Sequence, residues 1–207
     1  MNIFEIQQSK EDREFVQKNG FLEFEVLADI LKTAGDLPYI GSLFKLGKVA
    51  VNYMDYRFVR KLHFFLAESE NIEPEKKEKF LNSLDQKDYK RINAMMTHLL
   101  YSAEEDEKAT LMGKIYRSRL LGEIDDEMML RSCSVVNRSF LADLDHLEEY
   151  VKPNMKDDFI TSNLYSFGLL RIKGHDADGE SINLGGQYVV NEVGRLLLRI
   201  MRGVDYS

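Results

Sequence analysis

Apolar residues recur at steps of three and four through most of the first 150 positions, and only three prolines punctuate the chain, Pro38, Pro74 and Pro153. Such spacing lines up one face of a 3.6-residue helix, and long stretches free of turn signals predict a mainly α protein. Each proline falls where a helix would start or stop. Pro38 and Pro74 suit a first helical turn, where the fixed φ fits and the missing N–H would have had no partner, and Pro153 closes the helical part. The expected architecture is a bundle of about six helices in residues 1–152, followed by a small α/β module in residues 153–207.

Within the bundle, helices are expected at about 3 to 18, from about Phe21 to Gly35, and from Asp36 and Pro38 onward as a long third helix. "NIEPEKKEKFLNSL" predicts a short, exposed helix. "DQKDYKRINAMMTHLLYSA" puts Ile92, Met95, Met96, Leu99 and Leu100 on one stripe, and "SAEEDEKATLMGKIYRSRLLG" begins with an acidic turn and stops at Gly122; both look half buried. A further helix runs from about Asp125 to Val151, with Asp125 or Asp126 as N-cap. Beyond Pro153, a short helix in "DDFITSNLYSFG" leads to strands at about Leu169 to Lys173 and Gln187 to Val190. These are joined by a polar hairpin tip, after which Asn191 caps a last helix striped by Val193, Leu196, Leu197 and Ile200.

The chain carries 28 Lys plus Arg against 35 Asp plus Glu, a net charge of -7, so general attraction to nucleic acid or anionic lipid is disfavoured and any anion-binding role must be local. The one place where cations gather is the apolar stretch 37–67, with Lys45, Lys48, Arg57, Arg60 and Lys61 against the single carboxylate Asp55. Those cations arrive too often for a helix surrounded by lipid. Lying flat in a membrane interface fits better, since Phe44, Tyr53, Tyr56, Phe58, Phe64 and Phe65 stand beside them. The preferred and simplest reading is a central core helix. Its stripe would run from Ile40 and Leu43 through Val51, Phe58 and Leu62 to Phe65, with the cations paired to acidic runs such as "EEDE" at 104–107. Phosphate cradling fails, because five residues separate Gly41 from Gly47 and Val49 follows Lys48 where a hydroxyl is needed.

No other chemistry is spelled out. The histidines at 63, 98, 146 and 175 are far apart, and Cys133 is the only cysteine, so metal-ligand spacing is absent and no intramolecular disulfide can form. "HDADGES" has the D-x-D-G of a calcium loop, but Gly174 and Gly185 occupy the first and twelfth positions, where carboxylates belong. Carboxylate pairs such as Asp125 with Asp126, Asp143 with Asp145 and Glu148 with Glu149 read as helix starts and polar faces. Cys133, among apolar neighbours, reads as a small core residue. The start "MNIFEIQQSKEDREF" lacks a basic region followed by an apolar one, and a cytoplasmic protein without catalytic residues, cofactor or metal is the expectation.

The order helix, "FGLLRI", polar tip, "QYVV", "NEVGRLLLRI" resembles the end of winged-helix modules, through Phe167 to Leu170, Tyr188 to Val190, Gly194, Leu196 and Leu197. The helix equivalent to a recognition helix, about Asp157 to Phe167, offers two aspartates and no Lys or Arg, and from Pro153 onward six cations face seven carboxylates. Packing or protein contact suits the module better than DNA. Taken whole, the chain is similar to the abortive-infection alpha family of phage- and defence-associated bacterial proteins. That likeness rests on "LPYIGSLFKLGKVAVNYMDYRFVRKLHFFL", "LMGKIYRSRLLGEID", "SFLADLDHLEEY" and "GLL…YVVNEVGRLLL". It implies a small intracellular protein linked to phage conflict or mobile elements. The function expected is therefore that of a non-enzymatic interaction protein, homo-oligomeric or binding another protein. The alternatives are a peripheral membrane effector using 37–67, or a winged-helix DNA-binding regulator.

Overall fold

The computed structural model describes residues 53–68, 72–73, 75–76, 79–80, 86–173 and 187–204. The helices expected before Tyr53, both glycines Gly41 and Gly47, Lys45, Lys48 and the D-x-D-G hairpin tip lie outside the described residues. Within them the protein is mainly α, with α1 at Tyr53–Ala67, α2 at Gln86–Ser102, α3 at Asp106–Leu120, α4 at Asp126–Arg138 and a one-turn α5 at Leu141–Leu144. A 3-10 helix, Asp145–Tyr150, leads on to α6 at Phe159–Ser166, strands β1 at Leu170–Lys173 and β2 at Gln187–Val190, and α7 at Glu192–Arg202. The two strands pair antiparallel, Leu170 opposite Val190 and Ile172 opposite Tyr188.

Local signals account for most of the boundaries. Asp125 accepts a hydrogen bond from the Met128 N–H at 2.7 Å, and Asn191 accepts one from Gly194 at 3.0 Å, each satisfying a donor that the first helical turn leaves free. Asp158 does the same for α6 through Thr161 N–H at 2.8 Å. After α3, Gly122 takes φ 78°, a left-handed conformation that a side chain would strain.

Among the described residues α3 lies at the centre, and α1, the described part of the basic stretch 37–67, packs directly on it. Met112, Ile115 and Tyr116 on α3 have no exposed surface, and α3 packs against α1, α4 and α7. α1 lies across it so closely that a Cβ on Gly113 would overlap the carbonyl oxygen of Phe65. Leu62 and Phe65 of α1 enter the core, with the Phe65 and Tyr116 rings 5.1 Å apart. One hydrophobic cluster continues from these residues through Leu144, Leu147 and Tyr150 to Leu164, Leu170, Val190 and Leu197. The elements after Pro153 therefore share their core with the helices before it.

Three expectations need correction. The single helix from Asp125 to Val151 is broken: Ser139 is extended, at φ -79° and ψ 151°, and its hydroxyl donates to the Val135 carbonyl at 2.8 Å. A serine hydroxyl that bonds the preceding turn competes with helix continuation. The break lets Leu144, Leu147 and Tyr150 turn into the core. Met95 is not part of the buried stripe of α2 but stands 41% exposed, with the Arg91 guanidinium on its sulfur, while Ile92, Met96 and Leu100 make the buried seam at steps of four. The segment after residue 70 is less exposed than its charges suggest, since Ile72 and Phe80 are buried and the Arg119 guanidinium stacks 4.5 Å from the Phe80 ring.

Candidate functional site

Of the five cations singled out in 37–67, the backbone of Arg57 lies in α1, and the side chains of Arg60 and Lys61 are described. Arg60 and Lys61 do not form an open basic surface. Arg60 forms an ion pair with Asp106 at 2.7 Å, inside the acidic run 104–107, and its guanidinium lies 5.9 Å from the Phe64 ring. Lys61 is only 7% exposed, and its ammonium donates to the carbonyls of Tyr101 and, at 2.7 Å, of Ala103. These carbonyls end α2, where the last turn has no N–H partners of its own and the dipole favours a cation. A second lysine, missed in the sequence, repeats the device: buried Lys108 donates to the Asn137 carbonyl at the end of α4, at 3.1 Å.

Several other titratable groups are likewise engaged in holding helices. Lys156 bridges Glu149 at 3.1 Å and Asp158 at 3.2 Å, tying the 3-10 helix to the start of α6, and His146 bonds Glu149 at 2.6 Å. Hydrogen bonds from His146 and Lys156 lower the Glu149 carboxyl below its ordinary range, and those carboxylates raise the Lys156 ammonium. The Asp158 carboxyl is pulled down to about 2, chiefly by the Thr161 backbone N–H. Buried Asp143 accepts from Asn163 at 2.8 Å, and Asp145 pairs with Arg202. Burial pushes the Cys133 thiol far up, so it is protonated and a poor nucleophile. Among the described residues, no group of three or more His, Cys, Asp or Glu is placed to hold a metal ion, and no helix is long and apolar enough to cross a membrane.

Two surfaces remain. The first is apolar and belongs to the C-terminal elements: Met155 is 54% exposed, Phe159 75%, Tyr165 46% and Ile172 44%. Tyr188 links them. Its ring meets Tyr165 at 5.6 Å, it stands opposite Ile172 in the ladder, and its backbone pairs with Asn154, next to Met155. The sequence hid this face because "FITSNLYSF" reads as an ordinary short amphipathic helix whose outward side depends on what packs beneath it.

The second is a groove of about 800 Å³ between α4 and α7. Ile124 and Met128 supply its floor from one side, and Val193 and Leu196 from the other. Charges of both signs rim it, with Arg199 reaching Glu123 at 3.3 Å from α7 to the loop before α4. Segments sixty or more residues apart in sequence build this groove. Neither shows a mark of the other; the spacing of Glu127 and Arg131, which do pair along α4, reads as routine helix solvation. No family model matches the chain, and neither does any curated protein or solved structure.

Proposed function

We propose that this chain works inside the cell as a non-enzymatic helical interaction protein, linked to phage conflict or mobile elements through the likeness of its sequence. The apolar face around Tyr188 carries this reading. Large apolar side chains bared together on one module mark a contact surface far better than scattered single ones. Phe159 at 75% exposure is the clearest case, because nothing in the helix requires an aromatic residue at that position. The site chemistry supports the same view: the lysines, carboxylates and histidine described above cap or brace helices, and Cys133 is sealed in the core.

A membrane role draws little support from α1, since Arg60 is paired and Lys61 is turned inward. A DNA role draws little from α6, which begins at a pair of aspartates and carries no cation. The test compares the wild-type chain with Phe159→Ser/Tyr165→Ser by light scattering and by pull-down from lysate, circular dichroism confirming that both are folded. We expect wild type to self-associate or to retain a protein that the double variant releases. A wild-type chain that is a monodisperse monomer and retains nothing would defeat the proposal.

A further inference from the structure

The groove between α4 and α7 is independent of the apolar face and has a different chemistry. Two helices wall it. Along α4 and the loop before it, Ile124, Met128 and Arg131 face the groove at steps of four and three, and along α7 Val193, Leu196 and Arg199 do so at steps of three. Rows at that spacing are ridges, and a third helix packs its own side chains into the grooves between such ridges. Apolar floor and charged rim together match the way an amphipathic helix is held, by a stripe of side chains at i, i+3 or i+4, and i+7.

The rim also says what charge the occupant carries. Four carboxylates, Glu123, Asp125, Glu127 and Glu192, stand against three guanidiniums, so the rim has no excess of positive charge to draw a polyanion such as nucleic acid or a phosphate-rich surface. Most of these charges are already engaged: Arg131 with Glu127, Arg199 with Glu123, and Asp125 with the first turn of α4. Arg195 and Glu192 form no ion pair among the described residues, although they are one helical turn apart on α7 and both are exposed. An incoming helix with one acid and one base along its flank satisfies both.

We propose that this groove is a docking site for an amphipathic helix of a partner protein, with an apolar stripe on the Ile124, Met128, Val193 and Leu196 floor, an acidic side chain for Arg195 and a basic one for Glu192.

The test uses two fluorescein-labelled, end-capped synthetic helices of about 16 residues, long enough to be helical when docked. Both carry a leucine stripe. One has Glu toward its N-terminal end and Lys toward its C-terminal end on the flank, and the other has the reverse order. Anisotropy titrations are run on the wild-type chain, on the charge-exchanged Glu192→Lys/Arg195→Glu chain and on Val193→Asp, each checked for folding by circular dichroism. Wild type should favour one charge order by about tenfold, and the exchanged chain the other order by a similar factor. Val193→Asp should weaken both peptides. Absence of binding, a preference that survives the exchange, or unchanged binding to Val193→Asp would each overturn the proposal. Self-association of wild type that Val193→Asp disperses would place a second copy in the groove and overturn the assignment to a foreign helix. Failure here leaves the Tyr188 face untouched, because Phe159 and Tyr165 are intact in every chain used.

Discussion

Replacing Lys61 with Met isolates the ammonium from its stem, because methionine keeps an unbranched apolar side chain of similar reach while losing the charge and all donors. In the native protein that ammonium serves two carbonyls at the end of α2, those of Tyr101 and Ala103, in a site only 7% exposed. Two effects oppose each other. Burying a cation has a desolvation cost that the variant escapes, which favours Met. The two carbonyls, however, stay behind without their donor, and each buried acceptor left unsatisfied costs about 1–3 kcal/mol. Only one side of the interaction is removed, so the second effect should win, at about 2–4 kcal/mol, out of a total of about 5–15 kcal/mol for a typical domain. With a urea slope of about 2 kcal/mol/M, the unfolding midpoint should fall by about 1–2 M. Arg60→Met is the matched control: its ion pair with Asp106 has a 51% exposed arginine side chain, and its loss should cost about 0.5 kcal/mol. If urea titrations by circular dichroism gave Lys61→Met the same midpoint as Arg60→Met, the account of Lys61 as the cap of α2 would be refuted.

Two further outcomes follow from the same structure. Gly113→Ala should destabilise the chain by about 1–3 kcal/mol, because the new methyl overlaps the Phe65 carbonyl and must push α1 away from α3; a thermal midpoint equal to wild type would refute the close crossing as a source of stability. The Asp158 carboxyl should titrate near 2, held there first by the Thr161 N–H and then by the Thr161 hydroxyl and Lys156. Since its folded value lies below the unfolded value of about 3.9, the stability that its ionised form contributes is complete above that pH and is lost as pH falls toward 2. Carboxyl NMR that found a midpoint near the unfolded value would remove the N-cap from the account of acid stability.

The local grammar of this chain was open to reading. Asp125 and Asn191 cap the helices expected of them, the strands fall within a residue of their expected ends, and Gly122 stops α3. The caps and the glycine stop act within about four residues of the backbone they shape, so the amino-acid order alone carries that information. The groove was not readable in that way. Glu123 to Arg131 and Asn191 to Arg199 look like two unremarkable helix starts until the fold sets them side by side.

The amino-acid sequence by itself determined the helical character, most element ends and the absence of any spelled-out catalytic motif. Only the tertiary structure decided that α3 packs against α1, α4 and α7 at once, that Lys61 and Lys108 turn inward to close helix ends, and that Ser139 bends the chain so Tyr150 can be buried. The reason is one of range: caps and periodicity act within a turn or two, whereas the choice of which apolar face lies innermost is settled by the sum of many weak contacts between segments distant in the chain.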